Sequence, residues 1–385
     1  MRILVISALI AVMGYLLFWP VPVEPDAWNT PKDKGYSGVH HVNDKLSFAH
    51  AIALSESTAL SESTALSNKE ATTIKREYGP EDFALRSDGT IATATHSGTI
   101  MLLAPNDTHF TPWVNTGGRP LGLEFDASDN LIVADAYLGL LSVSPSGVIT
   151  LLTDAVDGTP IVYADDVDVA ENGMIYFSDA TTKFSAKAYG GTLSGSLLEI
   201  LEHKGNGRLL AYNPNTNVTT VLMDGLVFAN GVAISHNQQY VLVNETGSYR
   251  VLRYFIAGPK TGLVDVFIDN LPGFPDNIAT APDGGYWVGF ASPRSASLDD
   301  LSNSPFLRKV VQRLPASLRP KAKAYGHVIK LNKQGKVTND LQDPSGNYPL
   351  TTGVLETADM LYISSLTASS VAVVEKANLP KGEDE

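Results

Sequence analysis

The chain has 385 residues, 44% of them hydrophobic, which suffices for one large domain or two ordinary ones. A net charge of −13 and an isoelectric point near 5.0 leave a nucleic-acid role without electrostatic support. The absence of cysteine excludes a disulfide framework, a zinc finger and a thiol nucleophile.

Residues 1–19 open with Met1-Arg2 and continue as an uncharged apolar run from Ile3 to Trp19. Its seventeen residues sit at the short end of a membrane-spanning helix, which needs roughly 20. No small-x-small cleavage signal follows, so the run reads as a transmembrane anchor or uncleaved signal, with a cleaved signal peptide as the alternative. Arg2 and the terminal amine favour an inside N-terminus, placing the rest on the periplasmic or extracytoplasmic side. Residues 20–78 read as a linker, since Ala53–Ser67 is a six-residue low-complexity repeat, ALSEST-ALSEST-ALS. Residues 377–385 read as a disordered tail.

From 79 to 376 short β-rich runs alternate with turn signals. Six units come into register: PEDFALRSDGTIATAT, PLGLEFDASDNLIVAD, ADDVDVAENGMIYFSD, ANGVAISHNQQYVLVN, PDNIATAPDGGYWVGF and TTGVLETADMLYISSL. In each, a second-strand anchor lies eleven residues past the registered position, as with Glu81 to Ala92 and Thr351 to Tyr362. Polar turn residues such as Asp88, Asp129 and Asn172 lie between the two strands. An all-β, six-bladed β-propeller is the expected fold, with a β-sandwich as the alternative. Two insertions interrupt it. Residues 180–206 carry a short helix around SGSLLEILEHK. Residues 292–325 carry another, in which Phe306, Leu307, Val310, Val311 and Leu314 form an apolar stripe opposite Arg308, Lys309 and Arg313. That stripe is expected to pack on the domain, to act as a lid, or to touch a membrane.

Equivalent positions on the innermost strands of a propeller converge on its axis. Here they are Glu81, Leu121, Asp165, Asn230, Asp276 and Thr351, and Asn277 adjoins one of them. Carboxylates gathered there repel and raise one another's pKa unless a cation intervenes. Carboxylate and amide oxygens select Ca²⁺ or Mg²⁺ over zinc, and a roomy channel favours Ca²⁺.

The motifs GPEDFA, GRPLGLEF, VADAYLGL, FANGVAIS, VLVNETG, GFPDNIA and GGYWVGF resemble the strictosidine synthase-like branch of the calcium-dependent phosphotriesterase superfamily. This is the branch that includes adipocyte plasma membrane-associated proteins and is related to the SMP-30/gluconolactonase type. The resemblance runs from Gly79 to about Val374, and it implies metal ligands at Glu81, Asp165, Asn230, Asp276 and Asn277. Asp165 stands where an asparagine is more usual. Leu121 matches the catalytic histidine of paraoxonase-type lactonases, and Thr352 the catalytic glutamate of true strictosidine synthases.

The expected activity is therefore Ca²⁺-dependent hydrolysis of a small-molecule ester or lactone, with Asp276 as the base and Asp166 second to it. Tyr137 and Tyr189 are candidates for the mouth of the site. The alternative is a non-catalytic, membrane-anchored propeller in which structural calcium supports binding of a ligand or partner. Asn106, Asn217 and Asn244 occupy N-x-S/T sequences.

Overall fold

The computed structural model describes residues 2–47, 49–54, 56–57 and 75–379. Four antiparallel four-stranded sheets are each built from consecutive strands. They run from Pro120–Phe125 to Ile149–Thr153, from Ala164–Val169 to Val218–Leu226, from Ala229–Ile234 to Val264–Ile268, and from Gly273–Thr280 to Val337–Asp343. An eight-stranded sheet adds two four-stranded halves. One runs from Phe83–Leu85 to His109–Asn115; the other from Thr351–Glu356 to Ser370–Glu375, with His50–Leu54 as its outer strand.

We label the innermost strands β1 (Phe83–Leu85), β2 (Pro120–Phe125), β3 (Ala164–Val169), β4 (Ala229–Ile234), β5 (Gly273–Thr280) and β6 (Thr351–Glu356). Each touches the next, and β6 touches β1. Apolar clusters fill every gap between neighbouring sheets. Ala84, Ile100, Leu123 and Leu141 join the first two, and Phe83, Met101, Val371 and Val373 join the last to the first. A closed ring of twisted sheets packed face to face is consistent with a β-propeller. Local chemistry sets the hairpins. Asp126 Oδ1 accepts hydrogen bonds from the Ser128 and Asn130 amides, both at 2.8 Å, which turns the chain between β2 and its partner.

The inner strands share an irregularity. Pairing skips a residue between Pro120 and Leu123, Ala164 and Val167, Ala229 and Val232, Pro275 and Ile278, and Thr351 and Val354. A β-bulge at each place re-aims the side chains within it. The registered positions of the second to fifth units fall inside these bulges. In the last unit the equivalent residue is Thr352, one past the expected Thr351, because Val354 pairs with Ile363 as Val232 pairs with Val243. Gly231 follows Asn230 in its bulge because a Cβ there would run into the Asp276 carbonyl and the Ile278 amide.

The segment expected as a linker is part of the domain. His50–Leu54 pairs antiparallel with Ser370–Glu375, and Ala53 and Leu54 also pair in parallel with His109 and Phe110. This strand seams the last sheet to the first. Upstream, Val23 is buried against Phe184 and Leu198, and the Trp28 ring stacks on His203 with centroids 3.7 Å apart. The Leu46 amide donates to the Gln342 carbonyl at 3.0 Å. Apolar side chains at Val23, Trp28, Leu46 and Leu54 gave the segment surface to bury, and the polar repeat masked them. Of that repeat only Ala53, Leu54, Glu56 and Ser57 are described; residues 380–385 of the expected tail also lie outside the described residues.

Helix α1 spans Arg2–Phe18, seventeen residues or about 26 Å at the usual rise. Among the described residues no helix is long and apolar enough to cross a membrane. The two insertions form α2 (Thr192–Glu202), then α3 (Ala296–Asp300) and α4 (Pro305–Arg313). The orientation of α4 reverses expectation. Arg308 and Arg313 are buried, whereas Phe306 and Leu307 are exposed. The cause is the set of carbonyls that helix ends leave unpaired. Arg308 Nη1 donates to the Leu201 carbonyl of α2 at 2.9 Å. Arg313 donates to the carbonyls of Leu16 (3.0 Å) and Trp19 (2.6 Å) at the end of α1.

Because Leu54 is buried in the seam, Leu54→Ala is expected to cost about 2–5 kcal/mol. Chemical denaturation of the full chain measures this, and an unchanged midpoint would return the segment to the status of a spacer.

Candidate metal centre

Bulges in β3, β4 and β5 present Asp165, Asn230, Asp276 and Asn277 to the axis, and Glu81 lies just ahead of β1. Glu81 is 1% exposed, Asp165 3%, Asn230 2%, Asp276 5% and Asn277 1%. Asn230 Nδ2 donates to Asp276 Oδ1 at 2.5 Å, joining β4 to β5. Asn277 Nδ2 donates to Glu81 Oε1 at 3.2 Å and to the Glu81 carbonyl at 3.0 Å, joining β5 to the entry of β1. The Asp165 side chain makes no hydrogen bond to these four, but its carboxyl feels the charges of Glu81 and Asp276.

The electrostatics are those of acids crowded out of water. Burial first, and then the Asp276 charge, pushes Glu81 up to about 8, against the pull of Arg119 and Asn277. Burial lifts Asp276 to about 7, opposed by the Asn230 hydrogen bond. Asp165 is raised well above the carboxylate range by burial, then by Glu81 and Asp276.

Glu81 Oε2, Asp165 Oδ2, Asn230 Oδ1 and Asn277 Oδ1 are buried oxygens with no hydrogen-bond partner, as is Asn244 Oδ1 nearby in the network. Buried polar atoms are nearly always paired, so several unpaired acceptors together fit a hard cation. No imidazole or thiol joins them. The fit is to oxygen-preferring Ca²⁺ or Mg²⁺. The three carboxylates do not themselves crowd to ligand spacing. Among the described residues, only His40, His327 and Asp340 form a trio of His, Asp or Glu with ligand atoms all within 4.8 Å. Amide oxygens from Asn230 and Asn277 would complete the axial set.

Neighbouring acids have other work. Asp166, the second choice as base, accepts from the Val167 amide at 2.8 Å and from the Val232 amide of β4 at 2.7 Å. Asp82 accepts from the Leu123 amide at 2.9 Å, and Asp168 from Ile234 at 2.7 Å. These carboxylates staple β1 to β2 and β3 to β4. Leu121 sits in an apolar cluster with Tyr163 and Phe228. Thr352 Oγ1 donates to the Glu81 carbonyl at 2.5 Å, so this threonine positions the glutamate's backbone. Asn244, read as a glycosylation sequence, is fully buried and donates to the Asp276 carbonyl at 2.6 Å.

Arg119 escaped the sequence reading. It is 1% exposed, and Nη1 donates to the carbonyls of Thr95 (3.3 Å) and Pro120 (2.6 Å). Its Nε and Nη2 have no partner, and its charge acts on Glu81. The sole signal was its place in GRPLG, one bulge removed from the acids.

A cavity of about 270 Å³ follows the same strands past the bulges, lined by Asp82, Glu124, Asp166, Asp168 and Glu356 among others. A larger hollow of about 460 Å³, lined by Tyr137, Leu151, Asp154 and Pro160, includes none of the axial carboxylates. The smaller cavity likewise includes none of Glu81, Asp165, Asn230, Asp276 or Asn277. Tyr189 is 37% exposed and packs edge-on against Phe184.

The raised pKa values fix the sign of a pH effect. Without a cation, the folded chain holds protons on Glu81 and Asp276 at pH values where the unfolded chain has lost them. Stability then falls as pH rises from about 4 towards about 8. Thermal unfolding in chelator at pH 5 and pH 8 is expected to give the lower midpoint at pH 8, with saturating Ca²⁺ narrowing the gap. A gap that calcium leaves untouched would separate these acids from any cation.

Known proteins resemble this chain in sequence and in fold. A family model described as strictosidine synthase matches residues 165–259, and one described as strictosidine synthase-like, N-terminal, matches residues 59–103. The chain is 36% identical over 308 residues to strictosidine synthase-like 6 of Arabidopsis thaliana, covering 78% of this chain and 80% of that protein. It is 31% identical over 359 residues to the adipocyte plasma membrane-associated protein of Bos taurus, covering 88% and 80%. With strictosidine synthase-like 13 of Arabidopsis thaliana it shares 38% identity over 236 residues, 60% of this chain and only 57% of that protein's length. Among solved structures, a Xanthomonas campestris gluconolactonase superposes with a TM-score of 0.58 at 14% identity, covering 78% of this chain and 86% of that one. A regucalcin from Agrobacterium tumefaciens gives 0.53 at 15% identity, covering 76% and 88%. At that identity the likeness is one of fold. The length and identity of the sequence matches establish that the chain belongs to the strictosidine synthase-like family.

Proposed function

We propose that the chain is a calcium-dependent hydrolase of esters or lactones, built on a six-bladed propeller. The observation that carries the reading is the group of unpaired buried oxygens on Glu81, Asp165, Asn230 and Asn277, drawn from separate sheets of the ring. With Asp276 they would hold the ion. The fold's solved neighbours, a gluconolactonase and a calcium-binding regucalcin, are in keeping with it.

Bound calcium supplies Lewis-acid polarisation of a carbonyl and charge stabilisation for the oxyanion. The chain's own groups do the rest. Asp276 is fixed through Oδ1 by the Asn230 amide and takes a water proton at its carboxylate. Arg119 leaves Nε and Nη2 unpaired, and its charge acts on Glu81. Glu81 is held by Asn277 and Thr352, so the ring must stay closed for the site to exist.

Apolar α1, with Ile3, Leu4, Leu9 and Ile10 exposed, would associate with a bilayer. The name of the adipocyte plasma membrane-associated relatives supports membrane association.

A second reading, a structural cation in a non-catalytic binding propeller, is favoured by the burial of every axial side chain. One experiment separates the two: the full chain assayed on phenyl acetate and a lactone panel, with Ca²⁺ or chelator, beside Asp276→Ala. Hydrolysis lost in chelator and reduced about a hundredfold or more in kcat/KM by the substitution supports the hydrolase. Turnover indifferent to both rejects it. A lower unfolding temperature in chelator, with no turnover on any substrate, selects the structural role.

A further inference from the structure

The fifth sheet carries a second convergence of ligand atoms, unrelated to the axis. His327 and Asp340 lie on adjacent strands, Gly326–Leu331 and Val337–Asp343. His327 is opposite Gln342 and Asp340 opposite Ile329, so all these side chains share one face. Across that face runs the N-terminal strap, whose single turn Gly38–His40 delivers His40. His40 Nδ1 lies 2.7 Å and His327 Nε2 3.0 Å from the same oxygen, Asp340 Oδ2.

The surroundings fix this tripod. Asp340 Oδ1 is occupied by Gln342 Nε2 at 2.5 Å and Asn43 Nδ2 at 3.2 Å, which turns Oδ2 towards the two rings. Phe290 stacks on His327 with centroids 4.6 Å apart. The Tyr36 hydroxyl stands 3.5 Å from His327 Nδ1, the nitrogen that faces away from the tripod. The His327 side chain is 1% exposed and that of Asp340 5%, while His40 keeps 16%, an entry path from solvent.

We propose that His40, His327 and Asp340 form a second cation site, for a zinc-type transition metal, that clamps the N-terminal strap to the fifth sheet. Two imidazole nitrogens and one carboxylate oxygen are a zinc donor set and a poor calcium one. Without metal, both imidazoles donate a proton to Asp340 Oδ2. The ion takes the lone pairs of His40 Nδ1, His327 Nε2 and Asp340 Oδ2, and each displaced proton moves to its ring's other nitrogen. For His327 that is Nδ1, where the Tyr36 hydroxyl oxygen accepts it. Proton count is unchanged. Water from the His40 side completes the coordination. A polar partner on the distal nitrogen is the usual support for a ligating histidine. Zinc thereby links residues separated by some three hundred positions, and the axial site has no part in it.

The test uses the full chain, stripped with chelator and then kept in excess Ca²⁺, titrated with Zn²⁺ by calorimetry and with Co²⁺ by visible absorption. One Zn²⁺ per chain is expected, together with a cobalt spectrum of low coordination number. Glu81→Gln retains it. His40→Ala, at the most accessible ligand, weakens it more than about a hundredfold, and Tyr36→Phe, which leaves every ligand in place, about tenfold. The proposal is overturned by no zinc binding in calcium, by binding lost in Glu81→Gln, or by binding that His40→Ala leaves intact, as surface histidines His41 and His109 would give.

Discussion

Three carboxylates sharing one buried axis impose the constraint on which the rest of this structure turns. Glu81, Asp165 and Asp276 are each at most 5% exposed, and each is held above the ordinary carboxylate range by burial; Asp276 further raises Glu81 and Asp165. A ring of sheets that merely needed an apolar centre would have no such residues, since leucine or valine fills that space without penalty. The chain instead surrounds the acids with amide donors from Asn230 and Asn277 and with the charge of Arg119. It leaves oxygens on four of the side chains unpaired. Proteins rarely keep such atoms without a ligand to meet them.

The device that makes the arrangement possible is small and repeated. A bulge near the start of an inner strand gives consecutive residues different directions. Asp165 is left facing the axial acids while Asp166 binds the backbone of the next strand. The same carboxylate staples, Asp82 to Leu123 and Asp168 to Ile234, close the seams that the apolar clusters fill. Axial chemistry and ring closure are thus served by neighbouring residues, and a change in one is felt by the other.

Much of this was legible in the sequence, and the residues say why. The shared register of Glu81, Asp165, Asn230 and Asp276 could be read from spacing because each unit repeats one strand–turn–strand length. The one slip, Thr351 for Thr352, came where the last hairpin departs from the others, and turn length is weakly encoded. Long-range partners left no signal. Neither the strand His50–Leu54, hidden beside a polar repeat, nor His40 with Asp340 has a sequence neighbour that announces its partner. Helix α4 misled for another reason. Amphipathic patterning assumes that arginine seeks water, but Arg308 and Arg313 found unpaired carbonyls at the ends of α2 and α1 and went inward.

The strap and the insertion helices therefore belong to the same structure as the ring, holding its outer surface while the bulges define its axis. Diffraction at the anomalous edge of a lanthanide soaked in place of calcium, on crystals of the full chain, addresses the axial site most directly. The proposed centre requires a single strong peak within about 2.6 Å of oxygens from Glu81, Asp165, Asn230 and Asn277. Clear density for all four side chains with no peak between them, or a peak elsewhere on the molecule, would contradict it.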